Sequence, residues 1–138
     1  MVLTFSLVIN EVGVVGSDSG WVEIYNTGST PVNLSDFTLI TKNRTLNLFG
    51  VINPGEYKVF YMGLSINSDS VVLKNGSNTV DSYTWISLPA QGSMGRYPDG
   101  RGDFRMFLVA TPGRKNEIPS SLDEHSWGRI KALFGPKR

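Results

Sequence analysis

Cysteine is absent from this 138-residue chain, which excludes disulfides and thiolate metal sites and leaves the redox compartment open. Histidine occurs once, at His125, too few for a histidine-based metal centre. Gly92-Ser-Met-Gly95 lacks the spacing of a nucleophile elbow, and no phosphate-cradling Gly-x-x-x-x-Gly-Lys run is present. Acidic residues are spread one per turn, without the paired carboxylates of glycoside hydrolysis. No catalytic, cofactor-binding or metal-ligating residue is therefore nominated, and the chain reads as something other than an enzyme. Long hydrophobic runs are missing too. The stretch Met1–Ile9 has no basic flank and is cut by Glu11, so it fails as a signal peptide or a membrane span and reads as a first strand. A cytoplasmic location is expected, or an extracellular one if the chain is a piece of a larger exported protein.

What is present describes a globular domain. Hydrophobic residues make up 40% and charged ones 18%, and the length suits one domain with a real core. Net charge is +1, but residues 1–95 carry four basic and seven acidic side chains while residues 96–138 carry nine and five. That asymmetry points to an anionic partner for the C-terminal third. Trp21–Leu39 organises the pattern. Val22 and Ile24 alternate with Glu23, as in a strand with one face on a core and one in water, and Asn26-Thr-Gly-Ser29 is turn chemistry. Asn53-Pro-Gly55 predicts a type II turn and Asn75-Gly76 a hairpin. Counting along the chain gives seven or eight short strands, turn signals every eight to twelve residues, and no helical period before residue 120. This predicts an all-β sandwich or barrel.

A set of short motifs resembles the lamin-tail domain, the immunoglobulin-like module of nuclear lamins found also in bacterial and archaeal proteins. They are Val8-Ile-Asn-Glu-Val12, Trp21-Val-Glu-Ile-Tyr-Asn26, Val32-Asn-Leu-Ser-Asp-Phe37, Ile52-Asn-Pro-Gly-Glu56, Asp69-Ser-Val-Val-Leu73, Gly95-Arg-Tyr-Pro-Asp-Gly100 and Thr111-Pro-Gly-Arg-Lys-Asn116, in order over residues 7–116. The resemblance implies an immunoglobulin-like antiparallel β-sandwich over residues 1–117, with a binding or scaffolding role and no catalytic residue. Among the shared residues, Asn10, Glu11 and Glu23 read as turn and edge hydrogen-bonding groups rather than ligand contacts, and Arg96 as the partner of a carboxylate. Asp99 and Asp103 offer too few oxygens for calcium, and Arg101-Gly102-Asp103 matches an adhesion tripeptide by letters alone.

Residues 118–138 form a tail that changes period. Ser121 and Glu124 make a capping box, Gly135-Pro136 is a stop, and Trp127, Ile130, Leu133 and Phe134 share one stripe of an expected amphipathic helix. Such a helix is marginal alone in water, so its stripe needs a surface, either the sandwich itself or a partner protein. Two functional expectations follow. One is weak, sequence-indifferent DNA binding through Arg101, Arg105, Arg114, Lys115, Arg129 and Lys131. The other is a protein-interaction module, a homodimer included, or an accessory domain of a nuclease or envelope system whose tail docks a partner.

Overall fold

The structure is a computed structural model that describes residues 6–15 and 19–117. The expected C-terminal helix lies outside the described residues. Eleven strands run through them: β1 Leu7–Val14, β2 Gly20–Asn26, β3 Val32–Asn33, β4 Phe37–Thr41, β5 Thr45–Asn47, β6 Val51–Ile52, β7 Tyr57–Met62, β8 Asn67–Asn75, β9 Asn78–Ser87, β10 Ser93–Arg96 and β11 Phe104–Phe107. They form a five-stranded sheet in the order β11-β10-β1-β2-β7, a four-stranded sheet β5-β4-β8-β9 and a small ribbon β3-β6. Every pairing is antiparallel. The expected immunoglobulin-like sandwich is therefore what the chain forms.

The turns follow their chemistry. Gly55 takes φ +74 where a type II turn needs a left-handed residue, and the Glu56 amide closes the turn on the Asn53 carbonyl at 3.0 Å. In the β8–β9 hairpin Asn75 pairs with Asn78, so the two-residue loop is Gly76-Ser77, one position beyond the Asn75-Gly76 signal. Gly76 opens it at φ +59, where a type II′ turn places glycine.

The core lies between the two main sheets and is built from Leu7, Ile9, Val12, Val22, Ile24, Phe37, Leu39, Val71, Leu73 and Trp85, all buried. Ile9 and Val12 both belong to it although they differ in parity. Across β1 and β2, Ile9 pairs with Ile24 and Glu11 with Glu23, which leaves Asn10 as an extra residue in a β-bulge. The bulge resets the alternation, so Ile9 and Val12 both meet the core and Glu11 lies on the opposite face beside Glu23. Without it, Glu11 would share the inward face of Ile9. That outer face is not in water, and here the sequence reading is corrected. Glu23 is 0% exposed because the chain beyond β10 folds back over β1 and β2. The outward position of a half-buried strand is polar by expectation only when nothing covers it.

The sheets are clamped along one seam. β9 carries a second irregularity, with Leu73 opposite Asp81 and Lys74 opposite Thr79. Asp81 accepts the Ile9 amide at 2.8 Å, and Arg96 donates through Nε to the Ile9 carbonyl at 2.9 Å. Arg96 also forms an ion pair with Asp81 at 3.0 Å, as the sequence expected of it. Its guanidinium lies 4.7 Å from the Phe104 ring, which stacks on Tyr83 at 3.8 Å between centroids. One carboxylate and one guanidinium thus satisfy the Ile9 amide and carbonyl, and join β9 to β1 and β10.

Candidate functional site

The outer face of the five-stranded sheet carries two features that only the fold assembles: a buried carboxylate network, and a rim of basic side chains on the segment that covers it. Glu11 and Glu23, opposed in the β1–β2 register, are both fully buried. The Glu11 carboxylate accepts the Ser93 hydroxyl at 2.5 Å, the Thr111 amide at 2.7 Å and the Thr111 hydroxyl at 2.8 Å. Glu23 accepts Asn10 Nδ2 at 3.0 Å and the Gly113 amide at 2.6 Å. Asn10 Nδ2 also donates to Asp99 at 3.1 Å, and Asn10 Oδ1 takes the Gly100 amide at 2.8 Å. Asp99 accepts the Asn116 amide at 2.9 Å and the Tyr57 hydroxyl at 2.5 Å. Asn116 Nδ2 donates to the carbonyls of Asn10 and Arg96. Its side chain lies where a Cβ on Gly95 would be, 2.6 Å from Nδ2, so residue 95 must lack one.

These groups explain one another. Among the described residues no cation enters the network, and every buried side-chain polar atom has a partner. Burial holds the Glu11 carboxyl above its ordinary range against the donors from Ser93 and Thr111. Burial likewise pushes Glu23 up to about 8, opposed by Asn10 and the Gly113 amide and reinforced by the nearby Glu11 and Asp99 charges. Burial, then the bond to Asp99, raises the Tyr57 phenol. The sequence reading is corrected twice here. Asn10, Glu11 and Glu23 sit mid-strand in the centre of a sheet rather than at turns or edges, and two carboxylates of the supposedly dispersed acids face each other. Even so, they are packed solid against donors, with no exposed carboxylate atom to meet a substrate. The network serves as a hydrogen-bonded lock for residues 97–117.

The rim is made by that locked segment. Arg101 follows Gly100, Arg105 is on β11, and Arg114 and Lys115 lie between Gly113 and Asn116; all four are exposed. Gly100 and Asn116 both meet Asn10, and Asn116 covers Gly95, the register partner of Arg105. The network therefore anchors the 15-residue stretch that carries these four cations at Gly100, Gly113 and Asn116. None of them has an ion-pair partner among the described residues. Arg105 lies 5.6 Å from the Tyr97 ring. Arg129 and Lys131, and the stripe Trp127, Ile130, Leu133 and Phe134, lie outside the described residues. Gly102 packs against the Tyr97 carbonyl, which accounts sterically for a glycine between Arg101 and Asp103.

Elsewhere the surface has shallow clefts. One of about 430 Å³ is lined by Lys42, Ser68, Asp69, Trp85 and Ile86, and another of about 430 Å³ by Val15, Arg44, Tyr61 and Met62. Asp69, the acid in the first, is occupied by the amides of Lys42, Ser65 and Ser70. Among the described residues no three His, Cys, Asp or Glu side chains are placed to hold a metal ion.

A family model for the Lamin Tail Domain matches residues 4–87, more than half of the chain. The chain belongs to the lamin tail domain family. No curated protein and no solved structure matches it. The lamin tail domain is an immunoglobulin-like, non-catalytic kind of module, and the sandwich agrees with that fold. The family match ends at Ser87, the last residue of β9, whereas the motif resemblance ran to residue 116. β10, β11 and the locked segment lie beyond the matched span. They supply Ser93, Asp99, Thr111 and Asn116 to the network and all four rim cations. No helix among the described residues is long and apolar enough to cross a membrane.

Proposed function

We propose that this lamin tail domain is a binding module whose recognising surface is the basic rim, and that duplex DNA is its ligand, bound through phosphates without regard to sequence. The observation carrying this reading is that Arg101, Arg105, Arg114 and Lys115, all on the segment held by the network, are each exposed and free of an ion-pair partner among the described residues. Guanidinium groups suit phosphate oxygens, and a rigid segment beneath them keeps their spacing. With four phosphate contacts the affinity should fall with salt along a log–log slope of about −3 to −4. Titrating a fluorescent duplex at several salt concentrations tests it. Arg101→Glu with Lys115→Glu should abolish the binding, and an unsubstituted protein that leaves the duplex untouched at low salt would sink the reading. A protein partner is the second reading, favoured by Phe49 and Val51, which stand 75% and 48% exposed at the small ribbon. Phe49→Ser should then release whatever protein the domain retains from its source cells.

A further inference from the structure

β11 is the edge of the five-stranded sheet, and among the described residues no strand pairs with its outer side. Met106, Leu108 and Val109, in and just after it, are 60%, 64% and 57% exposed. Phe104-Arg-Met-Phe-Leu-Val109 is a strand-forming run with a single charge, the kind of edge that natural sheets cover. The described chain ends next to it. Asn116 is fixed by the Asn10 and Arg96 carbonyls and lies over Gly95, whose register neighbour on β11 is Arg105. Adjacent strands are about 4.8 Å apart, so residue 117 leaves the sandwich about one strand from that edge. From there, residues 118–126 can span about 30 Å when extended, more than enough to bring Trp127 to any part of β11. Residues 127–134 then offer Trp127, Ile130, Leu133 and Phe134 at helical spacing, with no other apolar stripe on the tail. Charge agrees as well. Asp123 and Glu124 precede the stripe, Arg105 is on β11, and Arg114 and Lys115 directly precede Asn116.

We propose that the chain's own tail covers this edge, with the Trp127, Ile130, Leu133 and Phe134 stripe packed on Met106, Leu108 and Val109. The docked tail shields β11 from other strands and brings Arg129 and Lys131 to the basic rim. This inference is independent of what the rim binds. The absence of native cysteine allows a clean test. In the full chain, Val109→Cys with Phe134→Cys should form an intramolecular disulfide under mild oxidation. Thr45→Cys with Phe134→Cys, on the far edge strand β5, should oxidise far more slowly. Equal rates for the two pairs would overturn the proposal, and so would a disulfide formed mainly between two chains. A second readout separates docking from folding. The emission of Trp127, isolated by difference from a Trp127→Phe chain, should be blue-shifted and should move to the red in Leu108→Asp/Val109→Asp. The circular dichroism of the sheet should be unchanged in that variant. Trp127 emission already at the solvent-exposed position in the unsubstituted chain would refute the docking.

Discussion

Glu23 shows how far one position can depart from its place in a pattern. Its alternation with Val22 and Ile24 marks an outward residue, yet it is sealed and its pKa stands at about 8 against an ordinary 4.5. The folded state therefore holds a proton that the unfolded chain releases. The stability due to this group is complete below pH 4.5 and declines as pH rises to about 8, at most about 1.4 kcal/mol per pH unit. Glu11, raised in the same direction, adds to the decline. Urea midpoints at pH 5, 6.5 and 8 should fall in that order. Glu23→Gln should flatten the trend and gain on the parent chain most at pH 8. A parent whose midpoint rises over this range would mean that the carboxyl is ionised throughout. Polarity was legible at positions 11 and 23. Their burial was not, because the residues that cover them, Thr111 to Asn116, lie about 90 to 100 positions away in sequence.

β1 depends on a single irregular residue. The alternation Leu7, Ile9 predicts Glu11 on the core side, and only the bulge at Asn10 turns it away. Removing Asn10 takes out only the extra residue, so Ile9 and Glu11 become neighbours on opposite faces and the pairs Ile9–Ile24, Glu11–Glu23 and Val12–Val22 are kept, while the Asn10 bonds to Glu23, Asp99 and Gly100 are lost. The deletion and Asn10→Ala should therefore both fold cooperatively with urea midpoints below that of the parent chain. Loss of cooperative unfolding and of amide dispersion in the deletion alone would show that the bulge itself is required. Bulges leave little trace in sequence, since Asn10 is also at home in an ordinary turn. The Pro-Gly and Asn-Gly turns were readable because proline and glycine restrict or widen φ wherever they occur.

The molecule as a whole is larger than its family match. Residues 4–87 contain the four-stranded sheet and β1, β2 and β7, but lack β10, which pairs β1, and the lock over Glu11 and Glu23. A chain ending at Ser87 would leave two carboxylates facing water beside an unpaired β1 edge, and Asp81 without Arg96. It should be poorly soluble or lack a cooperative thermal transition, while a chain ending at Glu117 should melt cooperatively. Cooperative melting of the shorter chain would show that β10, β11 and the lock are not needed for folding. The sandwich was determined by short-range information: period-two alternation, turn residues at regular intervals, and the absence of helical period before the tail. The family was legible for the same reason, because its motifs are mostly strand ends and turns. Only the tertiary structure decided that residues 93–116 seal the acids on β1 and β2. Those contacts join residues about a hundred positions apart, and such pairings depend on burial and register, which local sequence does not carry.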